Sequence, residues 1–136
     1  MKAIHLAAQR GVEVDIIVPE VGNLPVARWA MWGHHPQVLR EGIRLWLSPP
    51  PFDHSKLFVV DGYWSSIGSS NWDPRSLRLN FEIAVECYGR ELAFELARIA
   101  EEKIAHSRRL SQADLDGRNQ AVRLRDGVAR LFLPYL

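Results

Sequence analysis

In this chain of 136 residues, the groups best suited to covalent and acid–base chemistry crowd into one short span. They are His54 and Lys56, then Asp61, then Gly68-Ser69-Ser70-Asn71, and then Asn80-Phe81-Glu82. An imidazole can attack phosphorus to make a covalent phosphohistidine, or can protonate a departing alkoxide. An ammonium, an amide and a hydroxyl beside it can neutralise charge developing on phosphoryl oxygens, a task that other sites give to a metal. A carboxylate that accepts the second ring N–H fixes the tautomer and direction of the histidine. Alone, His-x-Lys has the ordinary reading of a core strand that happens to begin with two polar residues. The Asp, Gly, Ser and Asn at their offsets after it turn the balance toward a site.

Rigid elements must present these groups, and local patterns supply candidates. DHSKLFVVD carries the apolar run Leu57-Phe58-Val59-Val60 and reads as a buried strand. Alternation along a strand places His54 and Lys56 on one face, and an extended backbone pairs Ser69 with Asn71 in the same way. In FEIAVECY the apolar Phe81, Ile83, Val85 and Cys87 share a face, which leaves Glu82, Ala84 and Glu86 on the other. The expected strands are 12–18, 43–48, 54–60, 65–69 and 81–88. PPPFD is a stiff connector delivering the chain to His54, and Tyr63-Trp64 falls in a turn region. In the loop NWDPRSLRLN, Trp72 either walls a substrate channel or covers the loop. Arg75 and Ser76 either meet a second phosphate or, the better reading, brace the loop.

HSKLFVVDGYWSSIGSSN resembles the H-x-K-x4-D-x6-G-S-x-N signature of the phospholipase D superfamily, the HKD phosphodiesterases and phosphatidyltransferases. The continuation NWDPRSLRLNFE is similar to that of bacterial cardiolipin synthases, in which Asp-x-Arg-Ser and Leu-Asn-x-Glu follow the Asn. Carried over position by position, the resemblance implies that His54 is the catalytic histidine, that Lys56 and Asn71 bind phosphate, and that Ser69 assists. It implies that Glu82 orients the histidine, while Asp61, part of the motif, is more structural than chemical. The implied fold is α/β, a mixed sheet flanked by helices. The implied reaction passes a phosphatidyl group from a phosphatidylglycerol-like phospholipid through a phosphohistidine to an alcohol.

Relatives with this continuation usually carry two HKD motifs in one chain, and this sequence has one. The expectation is therefore a single phospholipase D-like domain over residues 1–136, equivalent to the C-terminal half of a longer enzyme. Its partner would be a second HKD half, either an N-terminal half or another copy of this chain. In two-motif relatives the first histidine is the usual nucleophile, leaving His54 as general acid and base. A homodimeric one-motif phosphodiesterase or nuclease is the competing enzyme, and an inert half-enzyme the non-enzymatic alternative. One imidazole, an ammonium, an amide and a hydroxyl suit Mg²⁺ poorly, so no metal or other cofactor is expected. The resemblance also implies a cytoplasmic protein, peripheral at the inner membrane.

The rest of the chain sets bounds. At 47% hydrophobic and 24% charged residues the composition is ordinary globular, against disorder or a fibrous class. Seventeen Lys+Arg against 16 Asp+Glu leave a net charge of +1, so bulk electrostatics favour neither nucleic acid nor an anionic membrane. Cys87 is the single cysteine, which excludes an internal disulfide. No run approaches the roughly 18 apolar residues of a spanning helix, and no signal peptide opens the sequence. MKAIHLAAQRG reads as the tail of a helix stopped by Gly11; a domain beginning inside a helix suggests a truncated piece.

Residues 21–41 are helical but interrupted, with Pro36 opening a new turn. His34 and His35 invite a metal reading, but no Cys or carboxylate cluster accompanies them, and packing or surface roles suit them better. ELAFELARIAEEKIAHSRRL is the clearest helix. The last, RNQAVRLRDGVARLF, has Ala121, Leu124, Val128 and Leu131 as its apolar stripe and Arg118, Arg123, Arg125 and Arg130 elsewhere. Peripheral contact with anionic lipid headgroups is one reading of such a helix; packing on its own domain is the preferred one.

Overall fold

In a computed structural model, which describes residues 2–22, 24–40, 42–71, 76 and 80–132, the apolar runs near 15 and 45 become a parallel strand pair. Helix α1 (Lys2–Gln9) precedes β1 (Asp15–Pro19), α2 (Pro25–Arg40) and β2 (Arg44–Ser48). The register runs from Asp15 opposite Arg44 to Pro19 opposite Ser48, and α2 supplies the crossover that a parallel pair requires. The chain continues through β3 (Leu57–Val60), β4 (Trp64–Gly68), β5 (Ala84–Tyr88) and α3 (Arg90–Ala105). It closes with β6 (Arg108–Arg109), α4 (Gln112–Asp116) and α5 (Gln120–Arg130).

The expected α/β class with a mixed sheet and flanking helices is present, with the strands divided between two sheets. The first, β1-β2-β6, is mixed, and the second, β3-β4-β5, is antiparallel. Pro49, Pro50 and Pro51 lie between β2 and β3 and have no N–H to give a ladder, which separates the two sheets. Helix α3 packs against both.

Strand β2 centres the core. Leu45 and Leu47 alternate inward and meet Leu110 and Leu115, with Ile16, Val18, Trp32 and Leu39 around them. Each fully buried leucine stabilises the fold by roughly 2 kcal/mol relative to leaving it in water. On the other side of β2, Arg44 bridges Asp15 at 2.6 Å and Glu13 at 3.0 Å, and Trp46 Nε1 donates to Asp15 at 2.7 Å. The Arg44 guanidinium holds the Asp15 carboxyl below its ordinary value, so the pair stays ionised at neutral pH. Among the described residues no helix is long and apolar enough to cross a membrane.

Three elements depart from the sequence pattern. Helix α2 runs through Pro36 without a break. The hydrogen bond that the proline forfeits is offset by packing, since His35 and Val38 beside it are buried. Burial pushes the His35 imidazole down to about 4, and the neutral ring meets Trp32 edge-on at 5.2 Å between centroids. That is the packing role.

Helix α5 is turned the opposite way from its apolar stripe. Leu124 and Leu131 are 71% and 73% exposed, while Asp126 and Ala129 are buried. Charge decides the orientation. Arg118 and Arg125 both bond the Asp126 carboxylate, and their guanidinium carbons stand 4.3 Å and 4.4 Å from the rings of Trp32 and Trp29. Arg130 reaches Gln37 at 2.8 Å. Three of the four arginines weighed for lipid are thus bound to α2, leaving Arg123 on the surface.

The third departure is β5, an edge strand. Its apolar alternation faces solvent, with Phe81, Ile83 and Val85 exposed and Cys87 half-buried.

Candidate active site

The antiparallel registers bring three chain segments to one end of the second sheet. Leu57 stands opposite Ile67, and Gly68 opposite Ala84. The residues just before β3, just after β4 and just before β5 must therefore gather there. These are His54 and Lys56, Ser69 and Asn71, and Glu82. All five lie beyond the strand ends rather than within strands, a correction to the bounds 54–60, 65–69 and 81–88. For the first segment the cause is local. Asp53 Oδ1 accepts from the Ser55 N–H at 2.8 Å and from its hydroxyl at 2.6 Å, taking a donor that a strand would have used.

Gly68 permits the gathering. Its N–H donates to Lys56 O at 3.1 Å, and the Ser69 N–H to Ile83 O at 2.9 Å. A Cβ at position 68 would stand 2.3 Å from Ile83 O and 2.9 Å from Ala84 Cα. Gly68→Ala is expected to force β5 away from β4, lowering the melting temperature by several degrees and turnover by about 100-fold as the site loses alignment. Thermal melts and turnover on the same samples check this; an alanine variant matching the parent in both would show that the approach is not needed.

Within the cluster, Ser69 Oγ donates to Glu82 Oε2 and accepts the Ile83 N–H at 3.1 Å. Asn80 Nδ2 donates to the other Glu82 oxygen at 3.3 Å, and the buried Ser76 hydroxyl also bonds this carboxylate. The Ser69 bond first, then the Asn80 amide and the Lys56 charge, hold Glu82 below its ordinary value, so it is a carboxylate at neutral pH. Lys56 Nζ donates to the His54 carbonyl at 2.6 Å and has two further N–H groups for a ligand. Burial lowers the Lys56 ammonium somewhat, opposed by Asp53 and Glu82. His54 is exposed, with Phe52 against its ring at 5.7 Å. Among the described residues no hydrogen bond runs from the His54 ring to Glu82, whose two oxygens accept from Ser69 and Asn80. The exposed Asn71 ends the second segment.

Asp61 stands apart, at the opposite end of β3. It has φ +50° and Gly62 φ +60°, and Tyr63 N–H donates to Val60 O at 3.1 Å. Three residues, Asp61 to Tyr63, join the strands, and two successive positive φ values at the centre of the turn closed by the Tyr63–Val60 bond are the type I′ pattern, which Asp-Gly favours. Asp61→Asn is expected to melt like the parent, because Asn also adopts this conformation. Asp61→Val should cost about 1–2 kcal/mol, measured by denaturant unfolding. Equal stability of the two variants would remove this account of Asp61.

Sequence reasoning passed over Asp53, Ser55 and Lys103. The signal available was Asp-x-Ser, an acidic side chain placed to catch the backbone two residues on. Nothing local to the sequence announced Lys103, which arrives from α3 to pair with Asp53. Trp72 and Arg75 lie outside the described residues.

A family model described as cardiolipin synthase, PLD-like domain, matches residues 1–104. Cardiolipin synthase 1 of Staphylococcus epidermidis is 33% identical over 136 residues, all of this chain and 28% of that protein. The probable cardiolipin synthase YwiE of Bacillus subtilis is 35% identical over 130 residues, 96% of this chain and 26% of that protein. Among solved structures, the phospholipase D family member Nuc of Salmonella typhimurium superposes with a TM-score of 0.70 at 27% identity. That match covers 82% of this chain and 72% of the Nuc chain. The chain thus spans little more than a quarter, 28%, of a full-length curated relative.

Proposed function

Because this chain belongs to the cardiolipin synthase, PLD-like domain family, we propose that it forms a phospholipase D-like catalytic domain that transfers a phosphatidyl group through a phosphohistidine. The observation that carries the reading is the meeting of His54, Lys56, Ser69, Asn71 and Glu82 at one sheet end, from three separate segments. The donor would be a phosphatidylglycerol-like phospholipid and the acceptor a hydroxyl such as the glycerol hydroxyl of a second one. Lys56 and Asn71 would bind the phosphate and stabilise the charge that grows on its oxygens. Ser69 would join them by redirecting the hydroxyl it now gives to Glu82. The Glu82 carboxylate would fix Ser69 and, once that hydroxyl turns to phosphate, orient His54.

In-line displacement places the nucleophile and the proton donor on opposite sides of phosphorus. One imidazole attacks and the phosphorus–oxygen bond to the leaving alcohol breaks, its oxygen taking a proton from the second imidazole. An incoming hydroxyl then gives its proton to that same imidazole, attacks phosphorus, and breaks the phosphorus–nitrogen bond. His54 would serve as the acid and base, and a second HKD half would supply the nucleophile. Support for a partner is physical: His54 is exposed, and Phe81, Ile83 and Val85 form an uncovered apolar strip on the segment leading from the site into β5. The presence of one motif in the sequence favours a second reading, a homodimeric phosphodiesterase with two His54 residues facing one pocket across an isologous interface. Contact with a membrane surface would follow from a phospholipid substrate in either case.

The test is transfer on phosphatidylglycerol vesicles, with and without EDTA, and sedimentation of the same sample. Release of glycerol with formation of a diphosphatidyl lipid, indifferent to chelator, is expected from an assembled dimer. Turnover lost in EDTA and restored by Mg²⁺ would overturn the metal-free scheme. A strictly monomeric sample working at a normal enzymatic rate would overturn the shared site.

A further inference from the structure

The residue expected to react has little of its own to hold it. His54 lies in the irregular stretch between the proline connector and β3, and its exposed ring lies against Phe52, tilted 44°. Its backbone, by contrast, is tied on both sides. Asp53 Oδ1 spans His54 to take both donors of Ser55, at 2.8 Å and 2.6 Å. The other oxygen, Oδ2, is paired with Lys103 Nζ from the last turn of α3, and the same ammonium is 3.5 Å from Ser55 Oγ. After His54, Lys56 Nζ closes on the His54 carbonyl at 2.6 Å. The Asp53 and Lys103 side chains are only 34% and 31% exposed, so water competes weakly for the pair. Lys103 first and then the two Ser55 donors hold the Asp53 carboxyl well below the usual carboxylate range.

We propose that Asp53 and Lys103 are a positioning pair for His54: Asp53 folds the chain over the histidine, and Lys103 fixes that fold to α3. The direction of the imidazole is then set by a rigid 16-residue helix rather than by a flexible connector. Displacing a reacting group by about 1 Å can cost on the order of 100-fold in rate, so the pair acts chiefly on turnover. The inference rests on the proposed role of His54 as the reacting imidazole.

The experiment uses the 136-residue chain, ¹⁵N-labelled, and the variants Asp53→Ala, Lys103→Met and Lys103→Arg. Amide and ring-proton NMR signals of His54 and Ser55 are read first, with melting temperature as the control for global unfolding. In Asp53→Ala and Lys103→Met these signals are expected to shift and their ¹⁵N heteronuclear NOE to fall, while signals from β2 stay in place. Lys103→Arg should restore the parent spectrum. The second reading is kcat and KM on bis(p-nitrophenyl) phosphate, a small soluble diester. Here kcat should drop about 10- to 100-fold in the first two variants with KM within twofold, and recover in Lys103→Arg. His54 signals in Asp53→Ala that coincide with the parent would overturn the proposal. So would a lowered melting temperature with kcat untouched, which marks a purely structural ion pair. A parent without turnover on diesters and on lipid vesicles would sink the proposed reaction, and the NMR result would still decide the positioning.

Discussion

His54→Ala is expected to reduce turnover by about five orders of magnitude while leaving the melting temperature within 1–2 °C of the parent. The two halves of this result have separate causes. Chemically, the proposed role of His54 is to pass a proton to and from the reacting oxygens, and neither Lys56, Asn71 nor Ser69 offers a group suited to that task. Structurally, the ring is exposed and touches Phe52, so its removal opens no cavity and strands no buried partner. Lys56→Ala and Asn71→Ala should fall less far, by about 100-fold each, since each withdraws one preorganised donor from the developing charge. Turnover is measured on phosphatidylglycerol vesicles with the assembled dimer, or with the full two-motif enzyme where this lobe is its second half. A His54→Ala sample retaining a tenth of the parent rate would remove His54 from the chemistry.

Asp126→Ala should show the largest loss of stability, about 3 kcal/mol, equivalent to a fall of about 10 °C in melting temperature. The Asp126 side chain is 2% exposed and holds two guanidiniums, Arg118 at 20% and Arg125 at 42%. Removing the carboxylate leaves two cations clamped over Trp32 and Trp29 with no counter-charge, at the seam that fixes α5 to α2. The cost sits at the low end for a broken buried pair because both guanidiniums can turn toward water. Asp126→Asn keeps an acceptor and should lose about half as much. Chemical denaturation followed by circular dichroism gives both values. An Asp126→Ala protein within 2 °C of the parent would show that these ion pairs do not fix α5 to α2.

The sequence by itself determined the family signature and most of the elements that carry it. His54, Lys56, Ser69, Asn71 and Glu82 were legible because their spacing repeats a family signature, and the family match bears out the recognition. Alternation and short apolar runs pointed to strands at 43–48, 54–60, 65–69 and 81–88, and strands form within or beside each of these spans, at Arg44–Ser48, Leu57–Val60, Trp64–Gly68 and Ala84–Tyr88. The turn role of Asp61 was readable too, since Asp-Gly between two apolar runs is a local preference needing no distant partner.

What the tertiary structure decided is every outcome in which a distant group outbids a local pattern. The period of α5 predicted a buried Leu124 and Leu131, yet two tryptophans of α2, stacked under Arg118 and Arg125, made burial of Asp126 the better arrangement. Pro36 should have ended a helix, and tertiary packing carried the helix through it. Glu82 meets Ser69 because the close approach at Gly68 brings their two segments together. Asp53 drew no notice as one acidic residue among many, and it matters because Lys103, fifty positions later, folds onto it. Periodicity and spacing report what a segment prefers alone; the partner that overrides the preference exists only once the chain is folded.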